Sequence, residues 1–360
     1  MLKELALRLN IFKYITFRAS YAAVTALFLS LLIGPWFIRW LRRKKLGQEV
    51  RDDGPQTHLI KEGTPTMGGL LRILAIVSSV LLWQDLRNWY TWLSLFAILG
   101  FGSVGFADDW LKISRKNSAG LSPRLKMMGQ ILVSAVIVIL IYINRGENTT
   151  MLYIPFNKYP VCDLGWLYIP FGVIILVGAS NAVNLTDGLD GLAIGLVFLV
   201  AIGFAILAYI TGRADFAAYL NIPFMSGCGE LAVLSLAIIG ASIGFLWFNC
   251  HPAEVFMGDT GSLSLGGIIG LMALLLKKEI LLILIGGIFV IEALSVIIQV
   301  GYFKYTEKHS PDHVGRRVFL MTPIHHHFEK KGWKETRVVT RFWILGGLLV
   351  VVALSTLKLQ

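Results

Sequence analysis

The chain has 360 residues, of which 56% are hydrophobic and only 15% charged, with a mean hydropathy of +0.69. That apolar content exceeds what a soluble core uses and excludes an ordinary globular or disordered protein, leaving a polytopic membrane protein. The net charge of +11 requires no nucleic acid, because membrane lipids with anionic headgroups and an anionic substrate on one face account for a cationic excess.

A helix needs about 20 apolar residues to cross a bilayer. Taken in order, the apolar runs predict spans over residues 21–38, 69–84, 91–107, 127–144, 166–182, 191–211, 230–248, 262–277, 280–302 and 342–357. This is an all-α architecture of about ten transmembrane helices, with both termini on the same side. Residues 1–17 look like the start of a signal peptide, but the run from Tyr21 is long and a cationic cluster follows it. It reads as a retained first span behind a short interfacial segment. No linker, low-complexity tract or repeat interrupts residues 1–360, so one integral membrane domain is expected.

Cationic loops near span ends stay in the cytoplasm. Loops 39–68, 108–126 and 303–341 carry 21 of the 33 Lys and Arg residues. These loops are therefore predicted cytoplasmic and both termini external. The acidic residues follow the same geography: Asp108-Asp109, Asp187, Asp190 and Asp259 all stand at span ends on the cation-rich face, the layout of an active site open to one aqueous compartment.

The motifs lie in these loops. Lys61 to Gly69 offers a lysine, two hydroxyls (one from Thr66) and a Gly-Thr-Pro turn, a weak pyrophosphate signal without a Walker pattern. Asp108 and Asp109 are adjacent carboxylates with Lys112 within helical reach. Crowded carboxylates repel, so one can hold a proton and act as base, or the two can share a cation; a solvated helix end is the plain alternative. Asn184 to Gly191 (NLTDGLDG) repeats Asp-Gly at a three-residue interval. Its glycines permit tight turns, while Asn184, Asp187 and Asp190 supply groups that read a nucleobase and ribose or hold Mg²⁺; the alternative makes Asp190 a cap for the next helix.

Farther along, Asn249 precedes Phe256 to Ser262 (FMGDTGS). A carboxylate at a helix N-terminus opposes phosphate unless a metal lies between them, so Asp259 reads as a metal ligand, a role compatible with helix capping. Glu292 and Gln299 fall inside the ninth run, as a functional acid or as bundle contacts. His325, His326 and His327 point about 100° apart on a helix, so three of them do not readily ligate one ion, and no zinc pattern accompanies them. Cys162, Cys228 and Cys250 lack metal spacing and read as small packing residues, with a Cys162–Cys228 disulfide left open.

Hard oxygen ligands select Mg²⁺ or Mn²⁺, and lysines, a divalent ion and helix termini describe phosphoryl transfer. At this point GTPTMGG (Gly63 to Gly69), the Asp108-Asp109 pair with Lys112, NAVNLTDGLDGLA (Asn181 to Ala193), FMGDTGSL (Phe256 to Leu263) and PIHHHFE (Pro323 to Glu329) resemble the bacterial phospho-N-acetylmuramoyl-pentapeptide transferase family. That family lies within the polyprenyl-phosphate N-acetylhexosamine-1-phosphate transferase superfamily. The resemblance runs over nearly the whole chain. It implies a homodimer of the bacterial inner membrane that uses UDP-N-acetylmuramoyl-pentapeptide and undecaprenyl phosphate to make lipid I and UMP with Mg²⁺.

Motif by motif, the resemblance implies that Asp259 binds Mg²⁺ and that Asp108, beside Asp109, is the base for the lipid phosphate. It places Lys61, Thr66, Asn184, Asp187, Asp190 and Phe256 around uridine and pyrophosphate, with Asn249, Lys112, Lys126 and His325 to His327 at further polar positions. A bent ninth helix, here about 280–302, would border the prenyl groove. The stretch Lys304 to Arg317 is longer than the resemblance leads one to expect. A sister transferase using UDP-N-acetylglucosamine and an ion-coupled transporter are the rival readings; charges at span ends rather than at the midplane speak against the transporter.

Overall fold

The apolar runs fold as helices because a bilayer leaves backbone groups no partner outside the segment itself. The computed structural model describes residues 10–44, 63–115, 120–144, 146, 148–157, 159–310 and 313–358. Among these, nine helices are long and apolar enough to cross a membrane. They are α1 (Ile15–Arg43), α3 (Trp89–Ser114), α4 (Pro123–Ile143), α5 (Tyr168–Thr186), α6 (Leu192–Thr211), α8 (Glu230–Asn249), α9 (Gly258–Leu275), α11 (Gly287–His309) and α13 (Glu335–Ser355). Shorter helices complete the set: α2 (Gly69–Trp83), α7 (Ala214–Leu220), α10 (Leu281–Ile285) and α12 (Ile324–Lys330). The protein is thus an all-α multi-pass membrane protein.

The predicted spans are recovered, with displaced ends. Helix α3 runs on to Ser114, so Asp108 and Asp109 lie inside a helix rather than behind one. Helix α2 has only 15 residues, about 22 Å at 1.5 Å per residue, which is short of the hydrocarbon thickness. The run 280–302 is divided at Gly286 into α10 and α11, and α11 continues to His309. A two-stranded hairpin, β1 (Met151–Leu152) with β2 (Cys162–Asp163), pairs Met151 with Asp163 and Leu152 with Cys162. No periodicity announced it, because two-residue strands carry none.

Burial identifies the centre of the bundle. In α6, α8 and α9, 72%, 78% and 89% of the most apolar window is buried, against 28% to 33% in α1, α4, α5, α11 and α13. The central three are apolar all round and enclosed by protein, whereas the outer ones expose one apolar face for lipid. Helix α9 packs against α3 and α5, and α8 against α1 and α6. The α3–α9 contact is close because Gly105 has no side chain: a Cβ there would collide with the Asp259 backbone carbonyl. That approach carries the C-terminal end of α3 to the N-terminal end of α9, where the polar residues gather.

Candidate active site

Asp259 occupies the first turn of α9 and is the hub of the site. Lys112 Nζ (α3) and Lys126 Nζ (α4) each lie 2.8 Å from its Oδ2, and Asn184 Nδ2 (α5) donates to its Oδ1 at 2.7 Å. Asn184 also donates to Ser262 Oγ at 2.8 Å. Four helices therefore meet on one carboxylate. Asp108 is buried; its Oδ2 lies 2.6 Å from Lys112 Nζ, and its Oδ1 accepts from the Leu121 amide at 2.8 Å.

The neighbouring Asp109 is engaged quite differently. It accepts from the amides of Asp259 (3.1 Å) and Thr260 (2.9 Å) and from Thr260 Oγ1 (2.6 Å). The first N–H groups of a helix lack intrahelical partners, and no side chain of α9's own N-cap supplies one. Asp109 thus caps α9 from another helix, and the expectation that Asp259 caps its own helix is corrected. Adjacent carboxylates have divided the work because successive residues on a helix point in different directions.

The Gly63–Gly69 segment is stitched to the Phe256 segment by backbone hydrogen bonds: Phe256 N to Pro65 O (2.8 Å), Gly68 N to Phe256 O (2.9 Å) and Gly69 N to Met257 O (2.8 Å). Thr66 Oγ1 faces Gly258 beside Asp109, and Phe256 is half-buried. Lys61 lies outside the described residues. Arg72, one turn into α2, is fully buried, with its Cζ 5.0 Å above the Phe245 ring and Nη2 against the Met257 sulfur.

Asp187 ends α5. Burial pushes its carboxyl up to about 7; the Arg72 guanidinium opposes that rise, while the carboxylates of Asp259, Asp109 and Asp190 reinforce it. Asp190 does not cap α6, as the plain alternative would have it. Its Oδ2 receives His251 Nδ1 and the Ala253 amide, both at 3.1 Å, while its own amide donates to Glu335 Oε1 at 2.7 Å. Asn249 is spent on backbone, accepting from Gly191 N (3.2 Å) and donating to Val255 O (2.9 Å).

The three histidines go three ways. His325 is fully buried, its Nδ1 3.1 Å from Glu292 Oε1. His326 Nδ1 lies 2.7 Å from Glu329 Oε2. His327 Nδ1 accepts from the Leu320 amide at 3.1 Å; burial and Lys331 hold this imidazole below its usual range. Glu292 is thus a partner of the site, whereas Gln299 is a loop anchor, accepting from the Val318 and Phe319 amides and donating to Phe319 O.

One oxygen from each of Asp108, Asp109 and Asp259 lies within 4.8 Å of the others, and so do ligand atoms of Asp190, His251 and Glu335. The first group is all hard oxygen, the chemistry that suits Mg²⁺ or Mn²⁺. Within it Asp259 and Asp108 face the ammonium groups of Lys112 and Lys126, the Asn184 side-chain amide and the Leu121 backbone amide, whereas Asp109 is held by α9. The second group is already hydrogen-bonded within itself and to backbone.

Sequence reasoning located every carboxylate of the hub but passed over Arg72, His251 and Glu335. A lone Arg in an otherwise apolar run was a signal for the first. Nothing local marks the other two, whose partners lie 61 and 145 residues away. The cysteines are free, Cys228 being buried and Cys162 and Cys250 exposed, so the disulfide left open is not formed.

A model of glycosyl transferase family 4 matches residues 91–277, which include the whole carboxylate hub. A phospho-N-acetylmuramoyl-pentapeptide-transferase of Thermodesulfovibrio yellowstonii is 53% identical over 353 residues, covering 98% of this chain and 96% of that protein. Proteins of the same name from Syntrophus aciditrophicus and Geobacter sp. are 52% and 53% identical over 351 residues, with the same coverage.

Proposed function

This chain belongs to the phospho-N-acetylmuramoyl-pentapeptide transferase family, and from that premise we propose that it transfers phospho-N-acetylmuramoyl-pentapeptide from its UDP carrier to undecaprenyl phosphate. The products are lipid I and UMP, in the first membrane step of peptidoglycan synthesis. The observation that carries this reading is the meeting of Lys112, Lys126 and Asn184 on Asp259, with Asp108 beside them. Two cations and hard oxygen ligands at span ends suit a pyrophosphate delivered from water and a phosphate delivered from lipid.

Asp259 would hold Mg²⁺, while Asp109 keeps Asp259 in place by capping α9. When bound, the ion supplies positive charge that stabilises the transferring phosphate. Asp108 acts as base toward the lipid phosphate, one of whose oxygens attacks the β-phosphorus directly. The bond from that phosphorus to the bridging oxygen breaks, and UMP leaves with the electron pair. Lys112 and Lys126 neutralise the pyrophosphate. Lys61, Thr66, Asn184, Asp187, Asp190 and Phe256 receive the nucleotide, Phe256 by stacking on uracil. Asn249 holds the loop that carries Asp190, and His326 and His327 face sugar and phosphate oxygens. One pyrophosphate linkage replaces another, so the reaction is freely reversible.

We place the enzyme in the inner membrane as a homodimer, with its active site cytoplasmic and both termini periplasmic. UMP release from purified protein tests the function, with UDP-N-acetylmuramoyl-pentapeptide or UDP-N-acetylglucosamine as donor and with or without chelator. The muramoyl donor alone should release UMP, chelation should abolish it, and Asp259→Ala should lower it by on the order of 10²–10³-fold in protein that remains folded. Release from the N-acetylglucosamine donor instead would assign the sister activity. Isotope exchange between UMP and the donor without lipid phosphate would replace direct attack by an aspartyl-phosphate route.

A further inference from the structure

We propose that Glu292, inside the apolar helix α11, is a positioning residue for this reaction: through His325 it fixes the Asp187–Asp190 loop. The inference rests on the reading of that loop as the nucleotide-binding one. A carboxylate in a membrane helix is costly and needs a reason. Here the reason is one contact, Glu292 Oε1 to His325 Nδ1 at 3.1 Å, between two side chains that are both fully buried. A carboxylate oxygen only accepts, so Nδ1 carries the donated hydrogen and Nε2 is the nitrogen turned the other way.

That nitrogen faces Gly188. A Cβ at Gly188 would collide with His325 Nε2 and would stand 3.4 Å from His326 Nε2. The two imidazoles lie 4.1 Å apart, and Glu329 holds His326 from its other side. Together the rings form a wall against which the middle of the loop rests. Among the described residues neither His325 Nε2 nor Glu292 Oε2 has a hydrogen-bond partner, so the ring's polar tether is its bond to Glu292. Being fully buried under Gly188, His325 acts through the loop and not by touching substrate.

The far end of the loop is held independently. His251 and the Ala253 amide fix the Asp190 carboxylate, Glu335 its backbone and Asn249 that of Gly191. At the near end the Asp187 amide is bonded to Asn184 O; what remains to be set is the turn at Gly188, and the His325 wall sets it. A change in the charge at position 292 should therefore reach the nucleotide side of the reaction and spare the lipid side.

The test is Glu292→Gln in the full-length protein, which keeps the volume but offers an amide able to turn the ring over. We expect kcat/KM for the UDP-linked donor to fall about 10- to 100-fold, the range for losing the group that orients a histidine, with its KM raised. The KM for undecaprenyl phosphate and the melting temperature should stay at wild-type values. His325→Asn should behave alike, and the double variant should be no worse than His325→Asn alone, since both changes cut the same link. Glu292→Asp, which keeps the charge one methylene short, should fall between. Unchanged donor kinetics, parallel changes in both KM values with a lower melting temperature, or multiplying single effects would each overturn the inference. A wild-type protein that releases no UMP would instead sink the function on which it rests.

Discussion

Two neighbouring carboxylates show how much a single residue's direction decides. Asp108 turns toward Lys112 and Asp109 toward the amides of α9, so one joins the lysines and the other holds the hub in place. Asp187 makes a sharper prediction. Folded, it keeps its proton up to about pH 7, whereas an unfolded aspartate sheds it near about 4. The folded state then binds more protons between these values, so the stability it contributes is full below about pH 4 and is lost as pH rises through about 7. Thermal unfolding in detergent should show that decline in wild type and a flatter profile in Asp187→Asn; coincident profiles would refute it. At Gly188 any side chain meets His325, so Gly188→Ala should cost roughly 1–3 kcal/mol of overpacking. Weaker UMP binding by calorimetry would register it.

At the scale of elements, the site exists because helix ends meet. Capping of α9 by a residue of α3 ties two spans together at the carboxylate hub, and the close approach at Gly105 makes this geometrically feasible. The opposite end of the bundle is held by a different device. Arg18 of α1 makes a bidentate ion pair with Glu230 of α8 at 2.6 and 2.7 Å, and Glu230 also accepts from the Asp85 amide. Removing one partner leaves a buried charge uncompensated, which costs about 3–5 kcal/mol, while replacing both by apolar residues restores much of it. Arg18→Leu should therefore melt well below wild type, and Arg18→Leu with Glu230→Leu closer to it. Equal melting of the single and double variants would argue against the pair as the fastening between α1 and α8.

Across the whole molecule, the carboxylate hub lies at one end of the bundle and the Arg18–Glu230 pair at the other, and the protein's own cysteines can report which end faces which compartment. Cys250 follows α8 at the end that carries Asp190 and His251, while Cys162 lies on the hairpin at the other; both are exposed. Cys228 is buried, and burial pushes its thiol up to about 12, so it should stay silent. In sealed inverted vesicles a membrane-impermeant maleimide should label Cys250 and spare Cys162; labelling of both, or of Cys162 alone, would break the proposed orientation. The helices and the identity of most hub residues were legible in the chain, because apolar length predicts a span and because Asp, Asn, Lys and His stand out against an apolar background. Helix ends were less legible, as at Ser114 and His309, since a helix continues past the apolar boundary wherever a neighbouring element packs against it. The sequence by itself determined that this protein is a bundle of membrane helices with Asp108, Asp109, Asp187, Asp190 and Asp259 near span ends and His325 to His327 in a cation-rich loop, since those are properties of local composition. Only the tertiary structure decided that Asp109 caps while Asp259 is the hub, that Asn249 braces a loop, and that Glu292 and His325 are partners. Each of those pairings depends on where distant helices bring their side chains, which no local pattern encodes.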